Sequence, residues 1–322
     1  MLRIAGLLLA VALTVPVGGA QAKTLMQVYP LPPGLGAHDV WPAADGGVWF
    51  TAQAAGKLGH LDPVSGKVDL IALGAHSAPH GVIVGADRAA WITDGGQNAI
   101  VRVDPATRSA KVYPLPKERS NANLNTASFD RSGLLWFTGQ NGIYGRLDPK
   151  SGEMSVYDAP RGTGPYGIAT TPEGRVFYAS LAGSYLGEIE LASGQASVLE
   201  PPVSRQGARR VWSDGEGYLW ITGWSSGDLF RYDPKTKAWK SWRIPGNGPQ
   251  PYAVYVDERG IVWLSDWGSN AIFSFDPRSE RFEQIPLLDR YASVRELAGR
   301  KGEVWGAESG ADKIFVIRVS PD

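Results

Sequence analysis

The sequence predicts an all-β fold: a seven-bladed β-propeller of four-stranded blades, its ring closed by the N-terminal strand pairing with the last blade. Three observations carry this. A hairpin-centred unit recurs along the chain at a period of about 42 residues, in the range of propeller blades. Gly (40), Pro (23) and Trp (12) are abundant, which suits short strands joined by many turns. The chain also starts with a spare strand and ends one strand short.

Met1-Leu2-Arg3 supplies a positive charge, Ile4 to Val17 is apolar, and Ala20-Gln21-Ala22 is a small-residue cleavage pattern. Residues 1–22 therefore read as a secretory signal peptide, removed from the mature chain. The apolar run is short for a membrane span, which needs about 20 residues, and Pro16, Gly18 and Gly19 break it. Residues 23–322 read as one propeller domain, exported to a periplasm or secreted, with no later span. There is no Cys, so a buried core and not disulfides must hold the exported protein; thiolate nucleophiles and zinc-thiolate sites are excluded. Lys plus Arg (32) balance Asp plus Glu (32), so there is no electrostatic signature of nucleic-acid binding.

The unit is clearest from Pro79 to Asp94. An apolar run follows His80, Gly85-Ala86-Asp87-Arg88 turns the chain, and a β-rich run ends at Asp94. Antiparallel pairing sets the start of one strand beside the end of the next, so His80 and Asp94 are expected as neighbours. The second strand carries an aromatic in every unit: Trp49, Trp91, Trp136, Phe177, Trp220, Trp263 and Trp305. A bulky ring at one repeated position is core packing between sheets and not a ligand platform.

A third strand ends in Asp-Pro, as at Asp62-Pro63, Asp104-Pro105, Asp148-Pro149, Asp233-Pro234 and Asp276-Pro277, where the pair is turn chemistry. His60 stands where sister third strands carry Arg102, Arg146 and Arg231, and is expected on the surface. A fourth strand leaves through proline, as in Val112-Tyr113-Pro114. The last unit stops after its third strand, Lys313 to Val319, and Thr24 to Pro32 reads as its missing fourth strand. Such closure leaves no unpaired end to the ring and substitutes for capping repeats.

Scaffold residues should repeat from blade to blade, and functional residues should differ. Eleven residues before the core aromatic stand His38, His80, Asn125, Tyr166, Arg209, Tyr252 and Val294; three after it stand Ala52, Asp94, Gly139, Ser180, Gly223, Asp266 and Glu308. Both sets are expected on one rim of the channel, with Trp224 and Trp267 as apolar walls: a funnel with convergent polar groups. His76, four residues before His80, is a further candidate for that rim. Neutral His is a competent base near pH 7, and Asp94, Asp266 and Glu308 are candidate ligands for Mg2+, which favours carboxylates and water.

Leu135-Trp136-Phe137-Thr138, followed by Gly142-Ile143-Tyr144-Gly145-Arg146-Leu147-Asp148-Pro149, resembles the repeats of the virginiamycin B lyase (streptogramin B lyase) family, and the resemblance extends over 23–322. It implies a seven-bladed, Mg2+-dependent carbon–oxygen lyase that linearises cyclic depsipeptide antibiotics by elimination. Carried over by position, His38 matches the family's substrate-contacting His, His80 its catalytic His and Asp94 one of two metal carboxylates. Ala78 stands where the other carboxylate belongs, and the His pair sits in the first two blades and not late in the chain.

The resemblance assigns His80 as catalytic base and His38 to orient the ester. The rim comparison adds Asn125, Tyr166, Arg209, Tyr252, Trp224 and Trp267 as substrate-binding residues and Asp266 and Glu308 as completing ligands of a Mg2+ site with Asp94. The expected protein is a monomer acting on a small-molecule or cyclic peptide substrate. Ala78 favours a second reading, a non-catalytic propeller that binds a peptide, glycan or protein at the rim. A lactonase of the gluconolactonase type is a third.

Overall fold

A computed structural model describes residues 24–319, so the 1–22 leader lies outside the described residues. Twenty-eight strands form seven four-stranded antiparallel sheets. Blade two is typical, with Pro79–Val84 innermost, then Ala90–Asp94, Ala99–Val103 and Ala110–Pro114. The inner strands are Ala37–Pro42, Pro79–Val84, Leu124–Phe129, Pro165–Thr170, Ala208–Ser213, Pro251–Val256 and Val294–Arg300. Each packs against the next, and the seventh packs against the first. Among the described residues no helix is long and apolar enough to cross a membrane.

The ring closes as the spare strand predicts. Thr24–Pro30 pairs antiparallel with Lys313–Val319, Pro30 opposite Lys313. Tyr29 stacks on Trp305 at 5.9 Å, as the fourth-strand residues Tyr113 and Trp242 stack on Trp91 (5.8 Å) and Trp220 (5.6 Å). The N-terminal strand thus supplies the side chain as well as the backbone that blade seven lacks.

The repeated aromatics are core. Trp49, Trp91, Trp136, Phe177, Trp220 and Trp305 are fully buried, and Trp263 nearly so. A buried indole needs a partner for its N–H. Trp136, Trp220 and Trp263 donate to Asp130, Asp214 and Asp257 in the turn that precedes each second strand, at 2.8, 2.8 and 2.9 Å. The Asp-Pro carboxylates close local turns, as Asp104 does by accepting the Ala106 and Thr107 N–H groups at 3.0 Å.

His60 departs from expectation: it is buried, 8% exposed, and not on the surface. Its ring meets Trp49 edge-on at 4.5 Å and Nε2 lies 3.2 Å from Asp45 Oδ1. Arg102, Arg146 and Arg231 lie over the equivalent tryptophans. Imidazole is too short to carry its polar end past the indole to water, so it takes a carboxylate instead.

Candidate functional site

Every inner strand carries a bulge at the same place. In blade two, Pro79 pairs with Asp94 and Gly81 with Thr93, leaving His80 as the extra residue. A bulge re-aims side chains and is common beside functional sites. Here it lets two consecutive residues reach the channel, as His38 with Asp39 and Arg209 with Arg210 do.

Hydroxyls lock this geometry from blade to blade. Thr93 Oγ1 accepts from the Gly81 N–H at 2.9 Å and donates to the Asn125 carbonyl of the next blade at 2.5 Å. Thr51 does the same between Asp39 N–H and the His80 carbonyl, and Thr222 between Arg210 N–H and the Tyr252 carbonyl. Gly81 is needed for this approach, because a Cβ there would lie 2.7 Å from the Asn125 carbonyl oxygen.

The bulges also correct the alignment of blade seven. Val294 pairs with Glu308 as Pro79 pairs with Asp94, so the equivalent of His80 is Arg295 and not Val294. The turn between strands in blade seven is one residue shorter, which displaces a count made from the aromatic. The rim is therefore His38, His80, Asn125, Tyr166, Arg209, Tyr252 and Arg295.

These side chains form one contact network. The His38 and His80 rings lie 4.0 Å apart, and His80 meets Tyr166 edge-on at 6.2 Å. His80 Nε2 is 3.1 Å from Asn125 Nδ2, while its Nδ1 is buried without a partner. The Tyr166 and Tyr252 hydroxyls share a short hydrogen bond across the channel. Arg209 lies 3.6 Å above the Tyr252 ring and 4.2 Å from Trp224, and donates to the Tyr166 hydroxyl at 3.1 Å. Trp267 stacks on Tyr252 at 5.1 Å with Arg295 over it at 4.8 Å. His76 is exposed in the loop before blade two.

Beneath the rim lies a layer that the rim comparison did not single out. Asp39 accepts from His38 Nδ1 at 2.7 Å, which fixes the His38 proton on Nδ1 and leaves Nε2 with a lone pair. Arg210, reaching across the channel from blade five, donates to both oxygens of Asp39 at 2.9 and 3.1 Å. Its other terminal nitrogen lies 2.8 Å from Glu296 Oε2 but outside hydrogen-bond geometry. Moving the count from the aromatic one residue on finds Asp39 and Arg210, at a position that reads Asp39, Gly81, Thr126, Gly167, Arg210, Ala253 and Arg295; Glu296 joins them only in the alignment set by the bulges.

Electrostatics keep both histidines neutral. Burial, helped by the guanidiniums of Arg295, Arg210 and Arg209, holds His38 well below the usual imidazole range. Burial and the neighbouring His38 do the same for His80. Burial pushes Tyr166 up to about 12. For Tyr252 burial acts in the same sense, but Arg209 and Arg210 outweigh it and the phenol is lowered. Among the described residues neither Arg209 nor Arg295 has a carboxylate partner. Arg295, His38, Gln53, Ser293 and Ser309 line a recess of about 230 Å3 between blades one and seven.

The three carboxylates expected at a metal lie elsewhere. Asp94 faces away from the channel into its own loops, accepting from Ser77 Oγ, Gln97 Nε2 and the Ala78, Gly96 and Gln97 N–H groups. Asp266 likewise accepts from Gln250 N–H and from the N–H and hydroxyl of Ser269. Glu308 is pushed up to about 8 by burial and its carboxyl neighbour Asp289. Each belongs to a separate blade, and Asp94 and Asp266 close local turns.

Among the described residues, the one cluster of metal-capable side chains with ligand atoms within 4.8 Å is His38, Asp39 and His80. It offers one carboxylate, already clasped by Arg210, and three guanidiniums stand around it. This donor set does not fit Mg2+, which needs free oxygen ligands.

A model of the virginiamycin B lyase family matches residues 9–265. Virginiamycin B lyase from Staphylococcus aureus superposes with a TM-score of 0.85 at 19% identity, over 92% of this chain and 100% of that one. Its catalytically inactive histidine-to-alanine variant, solved with quinupristin, gives 0.85 at 20% identity, covering 92% of this chain and 100% of that one. A streptogramin B lyase structure gives 0.85 at 22%, over 92% of this chain and 98% of that one. The gluconolactonase of Zymomonas mobilis is 31% identical over 136 residues, which is 36% of this chain and 37% of that protein's length.

Proposed function

This chain belongs to the virginiamycin B lyase family, and we propose that it is an exported carbon–oxygen lyase that opens a cyclic ester by elimination at the rim, without Mg2+. The observation that carries this reading is the Arg210–Asp39–His38 chain ending beside Arg295 at one recess. A buried carboxylate that fixes an imidazole tautomer makes the far nitrogen a base. The inactivity of the histidine-to-alanine variant in the relative solved with quinupristin agrees with a histidine-centred chemistry.

The geometry supports His38 in the role of base that the family resemblance assigns to His80. His38 faces the recess with its tautomer set by Asp39, whereas both ring nitrogens of His80 are withdrawn, one against Asn125 and one buried. His38 Nε2 takes the proton α to the substrate carbonyl. The electron pair forms the C=C bond as the β C–O bond breaks, and the ester's acyl half leaves as a carboxylate. Arg295, whose Nε is anchored on Ser309 Oγ at 3.1 Å, presents its terminal N–H groups to the developing enolate oxygen. Arg209 on its aromatic bed, with Trp224 and Trp267, holds the departing carboxylate and the substrate's apolar face.

The test is turnover of quinupristin followed by mass spectrometry, with EDTA and with His38→Ala. Elimination gives a linear product of unchanged mass with a new double bond; a lactonase adds one water. The proposal expects unchanged mass, insensitivity to EDTA and loss of turnover in His38→Ala. Turnover that EDTA abolishes, or that His38→Ala retains, overturns it. The stacked Tyr252–Trp267 pair with Trp224 favours a second reading, a binding propeller, which predicts saturable ligand binding with no turnover.

A further inference from the structure

The rim holds more positive charge than its own carboxylates balance. Arg209, Arg210 and Arg295 gather around Tyr252, and Asp39 is engaged by Arg210 through both oxygens. Glu296 faces Arg210 as well. Asp94 and Asp266 turn into their own loops, and Glu308 lies against Asp289. Arg209 and Arg295 are left half-buried and, among the described residues, without an acidic partner.

Neutral groups hold both in place. Arg209 lies over Tyr252 and Trp224 and donates one terminal N–H to the Tyr166 hydroxyl, while its Nε is buried without a partner. Arg295 lies over Trp267 with its Nε on Ser309 Oγ, and it lines the recess of about 230 Å3 beside His38. The two guanidinium carbons are 3.6 and 5.9 Å from the centre of the one Tyr252 ring. Aromatic faces offset part of the hydration a cation loses, but a charge withdrawn from water still calls for an opposite charge. The excess shows in a neighbour: burial raises the Tyr252 phenol, yet Arg209 and Arg210 bring it below its usual range.

A guanidinium is a planar fork that matches a carboxylate. Trp224 and Trp267, edge-on to each other at 5.5 Å and half-buried, leave apolar surface at the mouth for a body beyond the charge. We infer that the resting rim binds small organic acids, the carboxylate between Arg295 and Arg209 and the apolar body against the open parts of Trp224 and Trp267. This rests on the rim being the ligand site, as proposed above, and not on its chemistry. It makes an opened ester, with its new carboxylate, a ligand of the site that released it.

The experiment is calorimetry on the mature chain with phenylacetate, its neutral amide phenylacetamide, and inorganic phosphate. The proposal expects saturable phenylacetate binding, and at least about tenfold weaker binding of the other two. A charge-assisted hydrogen bond contributes about that factor or more. Arg295→Gln and Arg209→Gln should each weaken phenylacetate at least about tenfold, and Arg295→Lys, which keeps the charge and loses the fork, should fall between the parent and Arg295→Gln. Arg278→Gln, which removes an exposed charge from the Asp276 turn, should leave binding unchanged. No saturable binding, equal binding of phenylacetamide, phosphate bound as tightly as phenylacetate, or parental binding in both Arg209→Gln and Arg295→Gln overturns the inference. Quinupristin turnover without phenylacetate binding overturns this inference alone; phenylacetate binding without turnover upholds it and overturns the lyase reading.

Discussion

Replacing Asp39 by Asn tests whether the cross-channel bridge holds the rim together. Asp39 and Arg210 are 2% and 3% exposed at their side chains and share two hydrogen bonds. The amide keeps the shape but removes the charge, and it leaves a buried guanidinium. Breaking a buried ion pair from one side costs about 3–5 kcal/mol. Glu296, 2.8 Å from the other terminal nitrogen, is close enough to ionise and take over part of the interaction, so the lower end, about 3 kcal/mol, is expected.

Urea unfolding followed by tryptophan fluorescence reads this as a lowered midpoint at unchanged slope. At about 2–4 °C per kcal/mol the melting temperature falls by about 6–12 °C. The double variant Asp39→Leu/Arg210→Met removes both charges and should recover most of the loss, because apolar replacement of a whole buried pair is often neutral. Asp39→Asn within about 1 kcal/mol of the parent would refute the reasoning: the bridge would then be dispensable, and His38 would not depend on it for its orientation.

Glu308 and Glu296, both raised to about 8, bind a proton in the folded chain that they lose when unfolded above the usual Glu range. Their contribution is complete at low pH and is lost as pH rises through about 8. His38 and His80, lowered when folded, act in the opposite sense below about 6.5, so the carboxyls alone govern the window above it; stability should fall between about pH 6.5 and 8.5, and Glu308→Gln should flatten that slope in urea titrations. Tyr29→Ala removes the ring that closes blade seven on Trp305 and should cost about 3–5 kcal/mol by the same measurement. Thr93→Val strands the Gly81 N–H and the Asn125 carbonyl and should cost about 2–4 kcal/mol, with altered exposure of the rim tryptophans visible by near-ultraviolet circular dichroism. Calorimetry with Mg2+ should show no saturable binding, because Asp94 and Asp266 have their oxygens filled by local N–H and hydroxyl donors.

The sequence by itself determined the ring, because a propeller is built from a local unit and each unit repeats its strand order, core aromatic and turn residues within about 42 positions. It also placed His38, His80, Asn125, Tyr166, Arg209 and Tyr252 at equivalent positions, and the symmetry of the ring brings equivalent positions together. Only the tertiary structure decided where side chains at strand ends point. Asp94 and Asp266 stand at equivalent positions, yet the local loops offer their carboxylates more donors than the channel does, and they turn outward. Asp39, Arg210 and Glu296 escaped the rim comparison because strict alternation along a strand sends the residue after a channel residue away from the axis. A bulge in each inner strand breaks that alternation. Their pairing joins residues 171 positions apart, a contact that no local pattern encodes and that exists only once the ring has closed.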